Sequence, residues 1–96
     1  MKTAILSMLI IFLFAVSAQA ETYCQNVNRT GSVVNVEPLG KTMNKWLLSR
    51  GVKYKTTPKE MKKTLINFCK SKPYGTDEDV TNHLQNIVNV LAAAGN

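Results

Sequence analysis

Two cysteines, Cys24 and Cys69, stand 45 positions apart behind what reads as an export leader, and nothing else in the chain constrains its folding as strongly. Residues 1–20 carry one basic residue, Lys2, then an apolar run from Ala4 to Val16, then Ala18-Gln19-Ala20, a small-x-small cleavage site. That is the anatomy of a cleaved secretory signal peptide. Its apolar run is too short, and too closely followed by polar residues, for a membrane span. Removing it leaves residues 21–96, 76 residues, as a single small domain with no membrane span. An exported chain with an even cysteine count is expected to form a disulfide. Metal binding and thiol redox chemistry are the sharper alternatives. Both lack support, because there is no CxxC and the only histidine, His83, is distant in sequence. A bridge closing a loop of this size stabilises by roughly 4 kcal/mol in the chain-entropy model. That is comparable to the whole stability of so small a domain.

Without the leader, eleven basic and six acidic side chains leave a net charge of +5. Six carboxylates, one histidine and two cysteines are too few, and too scattered, for most catalytic constellations. No enzyme activity, metal site or cofactor is expected.

Hydrophobic periodicity places the helices. Residues 22–30 are polar around Cys24 and suit one or two helical turns. Val33, Val34 and Val36 form a β-branched patch that propensity reads as extended. From Pro38, which suits a first turn, Leu39, Met43, Trp46 and Leu47 recur on one helical stripe. Gly51 fits a left-handed position just beyond that helix. Leu48 falls on the polar side with Lys41 and Lys45. Thr57-Pro58-Lys59-Glu60 reads as a capping box opening a helix whose apolar face is Met61, Leu65, Phe68 and Cys69, and which Pro73 stops. Thr76 caps a last helix with Asp77, Glu78 and Asp79 in its first turn. Its apolar stripe is Val80, Leu84, Ile87, Val88 and Leu91. The opposite face, Thr81, Asn82, Gln85, Asn86 and Asn89, bears no charge. The expected interhelical core is Trp46, Leu47, Met61, Leu65, Phe68, Leu84, Ile87 and Leu91.

The remaining chemistry is sparse. His83 flanks an apolar stripe and reads as a structural, half-exposed residue. The three consecutive acids point in different directions on a helix, and capping already explains them. Asn28-Arg29-Thr30 is a glycosylation sequon only in a eukaryotic secretory pathway. The lysine surplus has no aromatic stacking array beside it, so nucleic acid is not an expected partner.

The order of these features resembles a known family. A leader is followed by Thr22-Tyr23-Cys24-Gln25, a Pro-initiated helix with a tryptophan, and then Leu65-Ile66-Asn67-Phe68-Cys69-Lys70-Ser71-Lys72-Pro73. The last string is similar to the apolar-x-aromatic-Cys-Lys-x-x-Pro segment of the HdeA/HdeB-like acid-stress chaperones of the Gram-negative periplasm, and closer to HdeB. The resemblance implies an all-α domain, a small bundle of about four helices clasped by one Cys24–Cys69 disulfide. It also implies a homodimer at neutral pH and an ATP-independent holdase that binds unfolded periplasmic clients in acid. The expected client or dimer surface is Val33, Val34, Val36, Leu39, Trp46 and Leu48. The alternative expectation is a periplasmic immunity protein or inhibitor that occludes one partner through its basic or amide face. Such a binder stays folded at its working pH and prefers an acidic partner.

Overall fold

The computed structural model describes residues 21–95, so the leader read at residues 1–20 lies outside the described residues. Four helices follow in order: α1 Tyr23–Thr30, α2 Val36–Ser49, α3 Pro58–Ser71 and α4 Asp77–Ala93. There is no strand among the described residues, and a single disulfide, Cys24–Cys69, ties α1 to α3. The architecture is the all-α, disulfide-clasped bundle expected from the resemblance. Among the described residues no helix is long and apolar enough to cross a membrane.

Three of the four helices start in the same way. Thr22, Thr57 and Thr76 each accept from a backbone N–H three residues on, while Gln25, Glu60 and Asp79 reach back to the cap backbone. These capping boxes satisfy amide groups that a helix start otherwise leaves unpaired. The box at Thr57 and the cap at Thr76 follow from sequence; that at Thr22 was not anticipated.

The start of α2 corrects the reading of the valine patch. Val33 and Val34 form no strand, and Val36 is already helical. Asn35 turns the chain into the helix with φ 59°, a left-handed conformation that asparagine tolerates, and its side chain makes no capping bond. Tyr23 fixes this entry from the neighbouring helix, its hydroxyl donating to the Val34 carbonyl at 2.9 Å. Tertiary contact therefore overrides the local β propensity. At the other end of α2, Gly51 adopts φ 72°, as its position after Ser49-Arg50 predicts.

The core lies where α1 and α2 pack on α3, and α2 and α3 on α4. Leu47, Met61, Leu65 and Leu84 are fully buried, as expected. Trp46, Phe68, Ile87 and Leu91 are only half-buried and pack against that centre from outside. Tyr23, Val27, Met43, Val52, Val80 and Val88 are buried in their place. On α4 the buried line runs Val80, Leu84, Val88, a strict i, i+4 row. Ile87 lies to one side of it, and burial falls off at Leu91 along the last turn. Val52 enters the core from the loop after α2, anchored by its N–H donating to the Leu47 carbonyl at 2.9 Å.

Candidate functional site

Cys24 and Cys69 meet at the centre of the molecule, with Cα atoms 4.9 Å apart and neither residue exposed. The loop between α3 and α4 closes over them. Gly75 is buried there, and its carbonyl accepts the Cys24 N–H at 3.0 Å. Asn28 donates to the Cys69 carbonyl at 3.2 Å, adding a second link from α1 to the end of α3. Beside this node the Phe68 ring stacks on His83, centroids 4.5 Å apart, and burial lowers the His83 pKa.

The six residues expected to form one apolar surface are divided by the structure. Val33, Val36 and Leu39 sit around the entrance to α2, half-buried against the chain's own core, with Val34 exposed beside them. Trp46 lies nearly two turns along the helix from Leu39, on the same face. It lines a cavity of about 240 Å³ with Ser49, Arg50, Gln85, Val88 and Asn89. Arg50 donates to Asn89 across its rim at 2.7 Å, which engages one amide of the uncharged α4 face. Leu48, two residues past Trp46, points the opposite way and is 71% exposed. A residue advances 100° around a helix, so Leu39 and Trp46 share a face that Leu48 cannot join.

Leu48 belongs instead to a groove of about 480 Å³ lined by Lys41, Thr42, Asn44, Lys45 and Lys55. Asn44 builds it. Its side-chain amide donates to the Thr56 carbonyl at 3.1 Å, and its oxygen accepts the Thr56 N–H at 2.8 Å. This paired bond holds the loop after α2 against the helix and carries Lys55 across from Lys41 and Lys45. Sequence reasoning had placed Leu48 with Lys41 and Lys45. Lys55 and the Asn44–Thr56 clamp carry no local signal, because both depend on how the loop folds back.

The carboxylates form a second pattern. Hydrogen bonds from Asn26, then from Arg29, hold Glu21 below the usual carboxylate pKa. The Tyr54 hydroxyl, then Thr57, does the same for Glu60. For Asp79 the first cause is the Thr76 backbone N–H, then the Thr76 side chain, with Lys72 adding a weaker attraction. All three are surface groups; Glu60 and Asp79 are tied to the start of a helix, and Glu21 to side chains further along α1. Tyr23 is pushed up to about 12, by burial first and then by Asp77. Among the described residues no side chains of polar character are buried without a partner, and no three His, Cys, Asp or Glu residues gather as metal ligands.

Compared with protein-family models, curated proteins and solved structures, the chain matches none.

Proposed function

We propose that this chain is an exported, ATP-independent holdase of the bacterial periplasm, related to the HdeA/HdeB-like proteins it resembles. On this reading it is a folded homodimer at neutral pH that releases apolar surface to unfolding clients in acid, and it performs no catalysis. The observation that carries the proposal is the wiring of charged carboxylates into the helices, at the starts of α3 and α4 and along α1. Glu60 and Asp79 are the returning members of the α3 and α4 capping boxes, and Glu21 is bonded to Asn26 and Arg29 of α1.

Their titration has one sign. Each of these carboxylates has a folded pKa below its ordinary value. The stability they contribute is present above the unfolded pKa, near 4, and is lost as pH falls through the folded value. His83 also has a lowered pKa, so the folded state favours its neutral form, and its contribution fades as pH falls below about 6.5. Acid therefore withdraws support from α1, α3 and α4 together. Protonating the carboxylates, the C-terminus and His83 raises the net charge from about +5 to about +13, and self-repulsion then favours an opened, dissociated and soluble form. The groups freed first are those already half-exposed: Val33, Val36, Leu39 and Trp46. The buried disulfide keeps α1 attached to α3 throughout.

The test follows light scattering of an acid-labile client, such as malate dehydrogenase, at about pH 2–3 with and without the protein and with no nucleotide. Size and near-ultraviolet circular dichroism are recorded alongside from neutral pH downward. Suppressed scattering together with loss of the near-ultraviolet signal is expected. A compact monomer at every pH with unchanged client scattering overturns the proposal.

A further inference from the structure

Residues 41–70 hold nine lysines and arginines against a single carboxylate, Glu60, which is already engaged by Tyr54 and Thr57. Within this stretch the groove around Leu48 differs from a merely solvated lysine face in three ways. Its walls are fixed, because the two Asn44–Thr56 hydrogen bonds hold the loop against α2. Its centre is apolar, a leucine 71% exposed between three ammonium groups. Two of those groups, Lys45 and Lys55, form no ion pair among the described residues, while Lys41 has only an exposed contact with Glu37 at 3.6 Å.

We infer that the groove lined by Lys41, Lys45, Leu48 and Lys55 is a docking site for an acidic protein segment that carries an apolar side chain between carboxylates. The carboxylates meet Lys45 and Lys55, and the apolar side chain covers Leu48. Thr42, exposed on the same wall, offers a hydroxyl to the segment's backbone. The volume, about 480 Å³, is that of a site for a few side chains. Lys41, Lys45, Lys55 and Leu48 line one groove, so a polypeptide that carries carboxylates and an apolar side chain within a few residues meets both chemistries at once. The positive surplus of the surrounding segment steers such a partner towards the groove. This site belongs to the folded protein at neutral pH, so it stands or falls separately from holdase activity in acid.

The experiment is fluorescence anisotropy at neutral pH with a labelled peptide of glutamates and leucines, an all-glutamate peptide, and vesicles of phosphatidylglycerol in phosphatidylcholine. Lys45→Gln with Lys55→Gln removes two charges while keeping most of each aliphatic stem, and should weaken the mixed peptide about tenfold. Leu48→Ser should weaken the mixed peptide about fivefold and leave the all-glutamate peptide unchanged. Lys62→Gln with Lys63→Gln, on exposed α3 positions, should change affinity less than about twofold at physiological salt. Circular dichroism confirms that each variant is folded. Equal weakening by the Lys62/Lys63 pair overturns the inference in favour of unspecific charge attraction. Vesicle binding without peptide binding overturns it in favour of a membrane surface.

Discussion

Gly75 lies directly against the disulfide: a Cβ placed on it would approach the Cys24 Sγ to 2.9 Å, with the Lys72 carbonyl and the Phe68 ring edge both at 3.2 Å. The constraint is one of space. The sulfur belongs to a bridged, fully buried residue, and the carbonyl is backbone, so neither yields cheaply. Gly75→Ala should therefore destabilise the oxidised protein by about 1–3 kcal/mol, as overpacking does. Urea unfolding of the two proteins measures it. An unchanged midpoint would mean that the α3–α4 loop moves away freely.

The bridge itself is the next expectation. Intact mass of the non-reduced protein should show two hydrogens fewer than the reduced chain. Replacing either cysteine by serine should cost ~2–5 kcal/mol, enough to unfold a domain of this size at physiological temperature. Detection of two free thiols in the non-reduced protein would contradict the structure.

The packing difference along α4 makes a graded comparison possible. Leu84 is fully buried, whereas Leu91 is half-buried on the last turn. Leu84→Ala should cost about 2–5 kcal/mol, and Leu91→Ala clearly less. Similar losses at both positions, measured by thermal unfolding, would place the core centre further along the helix than the structure does.

What could be read from sequence depended on whether its cause was local. Thr57-Pro58-Lys59-Glu60 forms a capping box because four adjacent residues suffice to make one, and Gly51 turns left-handed for an equally local reason. The burial of Leu47, Leu65 and Leu84 follows from helical spacing alone. Trp46 and Phe68 fall on the same helical stripes and were expected inside, yet each stays at the rim, lining a cavity in one case and stacked on His83 in the other. Tyr23, Val52 and Gly75 are buried through contacts made by distant or returning segments, which no window along the chain displays. The candidate surface shows the same divide. Leu48 stood out as a leucine among lysines, but its groove exists only because Asn44 grips Thr56.

Val34 tests the surface proposed for the neutral dimer. It is 43% exposed, and its carbonyl, not its side chain, is held by Tyr23, so substitution leaves that hydrogen bond available. Val34→Asp places a charge there at neutral pH that is mostly protonated near pH 2. Analytical ultracentrifugation should show a weakened neutral dimer, while client protection in acid changes less. Equal loss of both would separate Val34 from the dimer contact.

The pH dependence of stability supplies the last expectation, because Glu60 and Asp79 do the same job on successive helices. Each accepts the backbone N–H of its capping threonine, Thr57 at 3.3 Å and Thr76 at 3.0 Å. Each is held below the ordinary carboxylate pKa by hydrogen bonds, from the Tyr54 hydroxyl first at Glu60 and from the Thr76 backbone first at Asp79. An amide keeps the hydrogen-bonding oxygen and removes the titration. Glu60→Gln with Asp79→Asn should therefore lower stability slightly at neutral pH, because the negative charge favours a helix start but solvent screens it at these exposed sites. Below about pH 4 the wild type loses its charged caps and the amide variant has none to lose, so the two stability curves should converge. Urea midpoints measured from neutral pH to about pH 2 decide the matter. Parallel curves over that range would show that the capping carboxylates do not carry the acid response, and would leave His83 and the general rise in positive charge as its source.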